Sequence, residues 1–129
     1  MKIIAPVTSI TLVLLVPLFV RLAFNVIKKR KAHQVALGSG QHADLEAAIR
    51  AHGNFSEYVP LVVLLMLVAE INGAPWWLVS VSAALIVVGR FIHAAAIPAG
   101  SISKRVQGMK LTFAALVMGC VANLAALIF

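Results

Sequence analysis

From Ile3 to Val20 the chain runs eighteen positions without a charge, and its apolar character continues past Arg21 and Asn25 to about Ile27. About 20 residues rising about 1.5 Å each cover a hydrocarbon core of about 30 Å, so this stretch has the length of a lipid-spanning helix. Three more stretches repeat the pattern. The second covers about 45–71 and is closed by the turn Asn72-Gly73-Ala74-Pro75. The third covers about 75–97, opened by Trp76 and Trp77, whose rings suit a bilayer interface, and stopped by Pro98 and Gly100. The fourth covers about 106–128. The pattern predicts an all-α fold, an integral membrane four-helix bundle with residues 1–129 as a single membrane domain. The first segment is longer than a signal-peptide core and no small-residue cleavage site follows it, so it reads as a retained span.

Polar residues interrupt these spans in register. On the second, Arg50, Asn54 and Glu57 fall within about 60° of one another at about 100° per residue. If that helix enters the membrane near residue 46, Arg50 lies close to the interface and Glu57 lies roughly 15 Å in from the point of entry. A lone charge there costs about 2.5 to 3.5 kcal/mol on insertion scales, so the stripe must face protein, water or ligand. Two readings are open for span two alone: an Arg50–Glu57 network that staples the bundle, or a site. Arg90 and His93, three residues apart on the third span, reach a similar depth, and Arg21, Asn25 and Lys28 form a stripe near the end of the first. A long basic side chain near a helix end can also snorkel to the interface. Together the groups outline a cationic pocket with one carboxylate, suited to a small anion.

Composition agrees with the pattern. Hydrophobic residues make up 62% of the chain, charged residues only 12%, and the mean hydropathy is +1.02, outside the range of soluble domains. The net charge of +7 would raise nucleic-acid binding in a soluble chain, but here the charges fall mostly at helix ends, where topology explains them. Lys28, Lys29, Arg30 and Lys31 lie in the first connection, Lys104 and Arg105 in the third, and the second has no basic residue. The positive-inside rule therefore puts loops one and three in the cytoplasm and both termini outside, with Lys2 a minor dissent. Gly108, Thr112, Ala115 and Gly119 read as a small-residue packing face, Glu70 as a carboxylate exposed at the outer interface, and Cys120 as a core or lipid-facing thiol. The four histidines have no zinc-ligand spacing, and no nucleotide-binding fingerprint is present, so no metal site is expected.

Arg50-Ala-His-Gly-Asn54-Phe-Ser-Glu57-Tyr58-Val-Pro60 resembles the second-helix signature of the MAPEG family, the membrane-associated proteins in eicosanoid and glutathione metabolism. The likeness extends over the whole chain, through the basic first loop, Gly89-Arg90 with His93, and a basic residue opening the fourth helix, and it is nearest to short bacterial members. It implies a homotrimer in the cell inner membrane, with glutathione bound between subunits in the cytoplasm-facing half. By position it implies that Arg50, Asn54, Glu57, Tyr58, Arg90 and His93 hold glutathione and that Arg105 stabilises its thiolate. Basic residues from Lys28 to Arg30 could reach a neighbour's ligand. The implied activity is that of a glutathione S-transferase or peroxidase acting on lipophilic electrophiles, with glutathione as co-substrate and no further cofactor.

Two departures narrow that expectation. Ile97 stands one turn beyond His93, where eicosanoid-forming members carry a tyrosine at or close to this position, and Gly53 stands where the prostaglandin synthase has an arginine. Prostaglandin or leukotriene synthesis is therefore not implied. Two other classes remain: a trimer that binds ligand without turnover, and a small proton-coupled multidrug exporter. The exporter fits less well, because those proteins carry their glutamate in the first helix and this first span has no acid.

Overall fold

The computed structural model describes residues 4–128, which form four helices: α1 (Pro6–His33), α2 (Ala43–Ile71), α3 (Trp76–Ala96) and α4 (Ile102–Ile128). The expected start of the first span at Ile3, and Lys2, lie outside the described residues. All four helices are long and apolar enough to cross a membrane. α3 packs along α4 over the longest seam, α2 touches the other three, α1 meets α2 and α3, and α1 and α4 stay apart among the described residues.

The inner and outer ends are built differently from the even pattern of the sequence. α1 does not stop at Ile27 but carries the basic cluster as helix to His33, adding about a turn and a half beyond the apolar stretch. It ends where Gln34 takes a left-handed conformation (φ 55°) and the Val35 N–H reaches the Arg30 carbonyl at 3.1 Å. Arg30 Nη1 then donates to the carbonyls of Val35, Ala36 and Gly38 at 3.4, 3.1 and 2.9 Å, so this guanidinium shapes the loop. Lys29 pairs with Asp44 at 2.7 Å and ties the end of α1 to the first turn of α2. α4 likewise begins four residues earlier than the apolar pattern, at Ile102.

Close helix approach explains the small-residue stripe. A Cβ added to Gly108 would sit 2.7 Å from the Cβ of His93 and 2.8 Å from the Gly89 carbonyl oxygen, so α3 and α4 cross with almost no space between their backbones. Gly119 does the same toward Leu65 on α2, at 3.0 Å. In lipid this contact is what holds helices together, since burying apolar surface gains little against hydrocarbon tails. Ser82 donates to the Ala115 carbonyl at 2.9 Å, and Asn123 donates to the carbonyls of Leu65 and Gly119, both at 2.8 Å, adding polar ties along the same seams.

Glu70 corrects the expectation of an interface-exposed carboxylate. Its Oε1 accepts from the Val7 N–H at 2.8 Å, and its Oε2 accepts from the Thr8 N–H at 2.9 Å and the Thr8 hydroxyl at 2.8 Å. These amides belong to the first turn of α1, where Ala5 offers no side-chain cap. A carboxylate from α2 thus fills the capping role, satisfying orphan donors and meeting the positive end of the helix dipole.

Candidate functional site

The polar groups of the spans gather at the end of the bundle that carries the α1–α2 and α3–α4 connections, called here the basic end. Counting about 20 residues back from Glu70 reaches Arg50, which puts Arg50 near one interface and Asn54 and Glu57 within the core. α3 is 21 residues long, about one membrane thickness, and Arg90 stands six residues before its end, about 9 Å in. Two helices of different length therefore bring Asn54 and Arg90 to one level.

They meet. Arg90 Nη1 donates to Asn54 Oδ1 at 2.6 Å, and Nη2 donates to Thr112 Oγ1 at 2.6 Å, with the Gly108 carbonyl at 3.4 Å and Met109 Sδ at 3.5 Å. The Thr112 hydroxyl donates onward to the Gly108 carbonyl at 2.9 Å, which aims its lone pairs at the guanidinium. Arg90 is only 2% exposed, and every acceptor it has is neutral. Its Nε is buried with no hydrogen-bond partner, and no carboxylate pairs with it among the described residues. Three helices are thus pinned around one cation whose charge they leave unmatched.

His93 lies buried one turn further along α3, against Gly108. Tyr58, one turn beyond Asn54, packs edge-on against Phe113 of α4, ring centroids 5.5 Å apart. Arg50 and Glu57 approach to 3.9 Å but belong to the same helix, and their side chains remain 57% and 52% exposed. They do not staple the bundle; the pair stands on an outward face of α2. Arg105 is exposed in the first turns of α4 and makes no ion pair among the described residues. Of the basic cluster, Arg30 and Lys29 are engaged within the chain, so of the Lys28 to Arg30 set only the Lys28 ammonium has no hydrogen-bond or ion-pair partner among the described residues.

One participant was hidden in the sequence. Thr112 reads as one of four small packing residues, yet it is the acceptor that fixes the second arm of Arg90. The signal that could have found it is its hydroxyl, the single side-chain hydrogen-bonding group on that stripe. Chemically, the face offers a buried guanidinium, an exposed guanidinium and carboxylate one to two turns apart, a phenol, and a second exposed arginine, an arrangement that suits a zwitterion rich in carboxylates.

The MAPEG family model matches residues 8–125 of the chain. Inner membrane protein YecN from Escherichia coli strain K12 is 36% identical over 118 residues, covering 92% of this chain and 90% of the relative. The protein of the same name from Escherichia coli O6:H1 matches with the same identity and coverage. These matches run through all four helices and the Arg50–Tyr58 face, and the chain belongs to the MAPEG family.

Proposed function

We propose that the protein is a glutathione-dependent transferase or peroxidase of lipophilic electrophiles, residing as a homotrimer in the inner membrane with its basic end toward the cytoplasm. The observation that carries this reading is Arg90, a buried cation with neutral partners only and an unpartnered Nε. A charge at this depth is costly unless an anion meets it. Glutathione has two carboxylates for Arg90 and Arg50 and an ammonium group for Glu57, while Asn54 lies level with Arg90 and Tyr58 and His93 lie about one turn to either side of it. The exposure of Arg50 and Glu57 within a membrane-length helix supports a neighbouring subunit closing the site. The family match and the inner-membrane name of the relatives support the setting.

Arg105 takes the thiolate in this reading. A nearby guanidinium favours the ionised sulfur, which is the nucleophile. The thiolate sulfur attacks the electrophilic carbon, a C–S bond forms, and the leaving group departs with the bonding pair, while the thiol proton goes to solvent. The electrophile approaches from the lipid between subunits.

The test is direct. Purified protein in detergent should bind glutathione and conjugate a reactive aryl halide, and Arg105→Ala should lower the rate by about a hundredfold while Lys110→Ala changes it little. Absence of glutathione binding sinks the reading, and equal effects of the two variants would mean the thiolate sits elsewhere. Glutathione binding without turnover on several electrophiles would leave a binding protein rather than an enzyme.

A further inference from the structure

A second basic feature lies away from that face. A cavity of about 800 Å³ opens between α1, α2 and α3 at the basic end, and Arg21, Asn25, Lys28 and Lys29 line one side of it. From α2 it is walled by Asp44 and by Ala47, Ala48 and Ala51, the alanines centred about 100° round the helix from the Arg50–Glu57 stripe. Its deeper wall is apolar, with Leu18 and Leu22 from α1 and Phe91 from α3. Lys29 is engaged with Asp44, which His33 also contacts at 2.9 Å. Arg21 and Lys28 have no carboxylate partner among the described residues.

Below it, along the same α1–α3 seam, lies a groove of about 310 Å³ with almost entirely apolar walls. The two are consecutive: the groove ends at Leu14 and Val87, and the cavity begins one turn on at Leu18 and Phe91. From Val7 at the outer end of the groove to Arg21 the seam measures about 21 Å along α1, somewhat more than half of a core of about 30 Å. A cationic mouth above an apolar trough long enough for one extended acyl chain has the polarity of a single amphiphile.

We infer that the α1–α3 seam binds an anionic phospholipid of the leaflet at the basic end, its phosphate held by Arg21 and Lys28 and one acyl chain laid along Leu18, Leu14 and Val87. Snorkelling accounts for the direction of these two side chains, and the seam accounts for what they meet. The site shares no side chain with the Arg90 node, so it stands or falls independently of glutathione chemistry.

The experiment is native mass spectrometry of the full chain in detergent, titrated with phosphatidylglycerol or phosphatidylcholine of matched chains. The wild type should retain phosphatidylglycerol in preference to phosphatidylcholine. The double variant Arg21→Ala/Lys28→Ala should weaken that retention about twenty-five-fold, each basic residue contributing about fivefold, whereas Lys104→Ala/Lys110→Ala, with the same charge removed from α4, should change it less than about twofold. Ala84→Phe, which fills the exposed groove, should also weaken retention, and inorganic phosphate should not displace the lipid. Equal retention of the two lipids, or equal losses in the two double variants, overturns the proposal. Displacement by phosphate alone would make the mouth a free-anion site, and a lower oligomeric state in Ala84→Phe would make the seam a contact between copies. If the Arg21/Lys28 variant fails to fold, the lipid comparison and Ala84→Phe still decide.

Discussion

Glu70 and Arg90 are both ionisable groups on membrane-length helices, held by partners from other helices. Glu70 receives three donors from the first turn of α1, two of them amides that a helix start leaves orphaned, so charge and hydrogen-bonding capacity are both answered within the chain. Arg90 donates two short bonds to neutral oxygens, keeps a buried Nε without a partner, and meets no carboxylate among the described residues. The first arrangement is closed and has the character of a structural lock. The second is positioned as firmly but electrostatically incomplete, and an incomplete charge is where a ligand's binding energy can be realised.

The largest expected effect separates the two outright. Arg90→Met should weaken glutathione binding by about a hundredfold or more, the loss of a buried hydrogen-bonded charge contact, while thermal unfolding in detergent stays near or above the wild type because an uncompensated buried charge has been removed. A large fall in unfolding temperature with binding retained would erase the distinction. Glu70→Ala should do the reverse: it should destabilise by about 3 kcal/mol in a denaturation titration, leaving α1 amides uncapped, with glutathione affinity unchanged.

Two smaller changes probe how Arg90 is positioned. Gly108→Ala forces a methyl group into the 2.7 Å approach to His93, and should cost about 2 kcal/mol in stability by pushing α4 off α3. If the node depends on that approach, glutathione affinity should fall in parallel. Thr112→Val keeps the shape but removes the acceptor for Nη2, and should cost about 1 kcal/mol of ligand affinity with less effect on unfolding. No change in affinity would mean that Asn54 alone orients the guanidinium.

Much of this was legible along the chain. Helix number and type follow from run length, because a span of hydrocarbon requires about 20 apolar residues and an internally hydrogen-bonded backbone. The Arg50–Asn54–Glu57 stripe and the Arg90–His93 face follow from the 3.6-residue period, and their shared depth follows from counting residues. Helix ends were less legible: the basic cluster and Ser101-Ile102-Ser103-Lys104-Arg105 look like connections by hydropathy, yet α1 runs on through the first and α4 begins within the second, since helices can extend beyond the hydrocarbon.

The sequence alone therefore determined which side of each helix is polar and how far each polar group lies from a helix end, because both are local properties of a regular backbone. Only the tertiary structure decided which group meets which. That Glu70 faces the start of α1 rather than the interface, that Thr112 joins Asn54 on Arg90, and that Arg21 and Lys28 stand over a groove shared with α3 all depend on how the helix axes are placed, which for α4 against α3 and α2 is set where Gly89, Gly108 and Gly119 let the helices touch. Helical periodicity sets an angle about one axis, whereas a hydrogen bond between helices needs two axes placed within a few tenths of an ångström, and that placement comes from packing across the whole bundle.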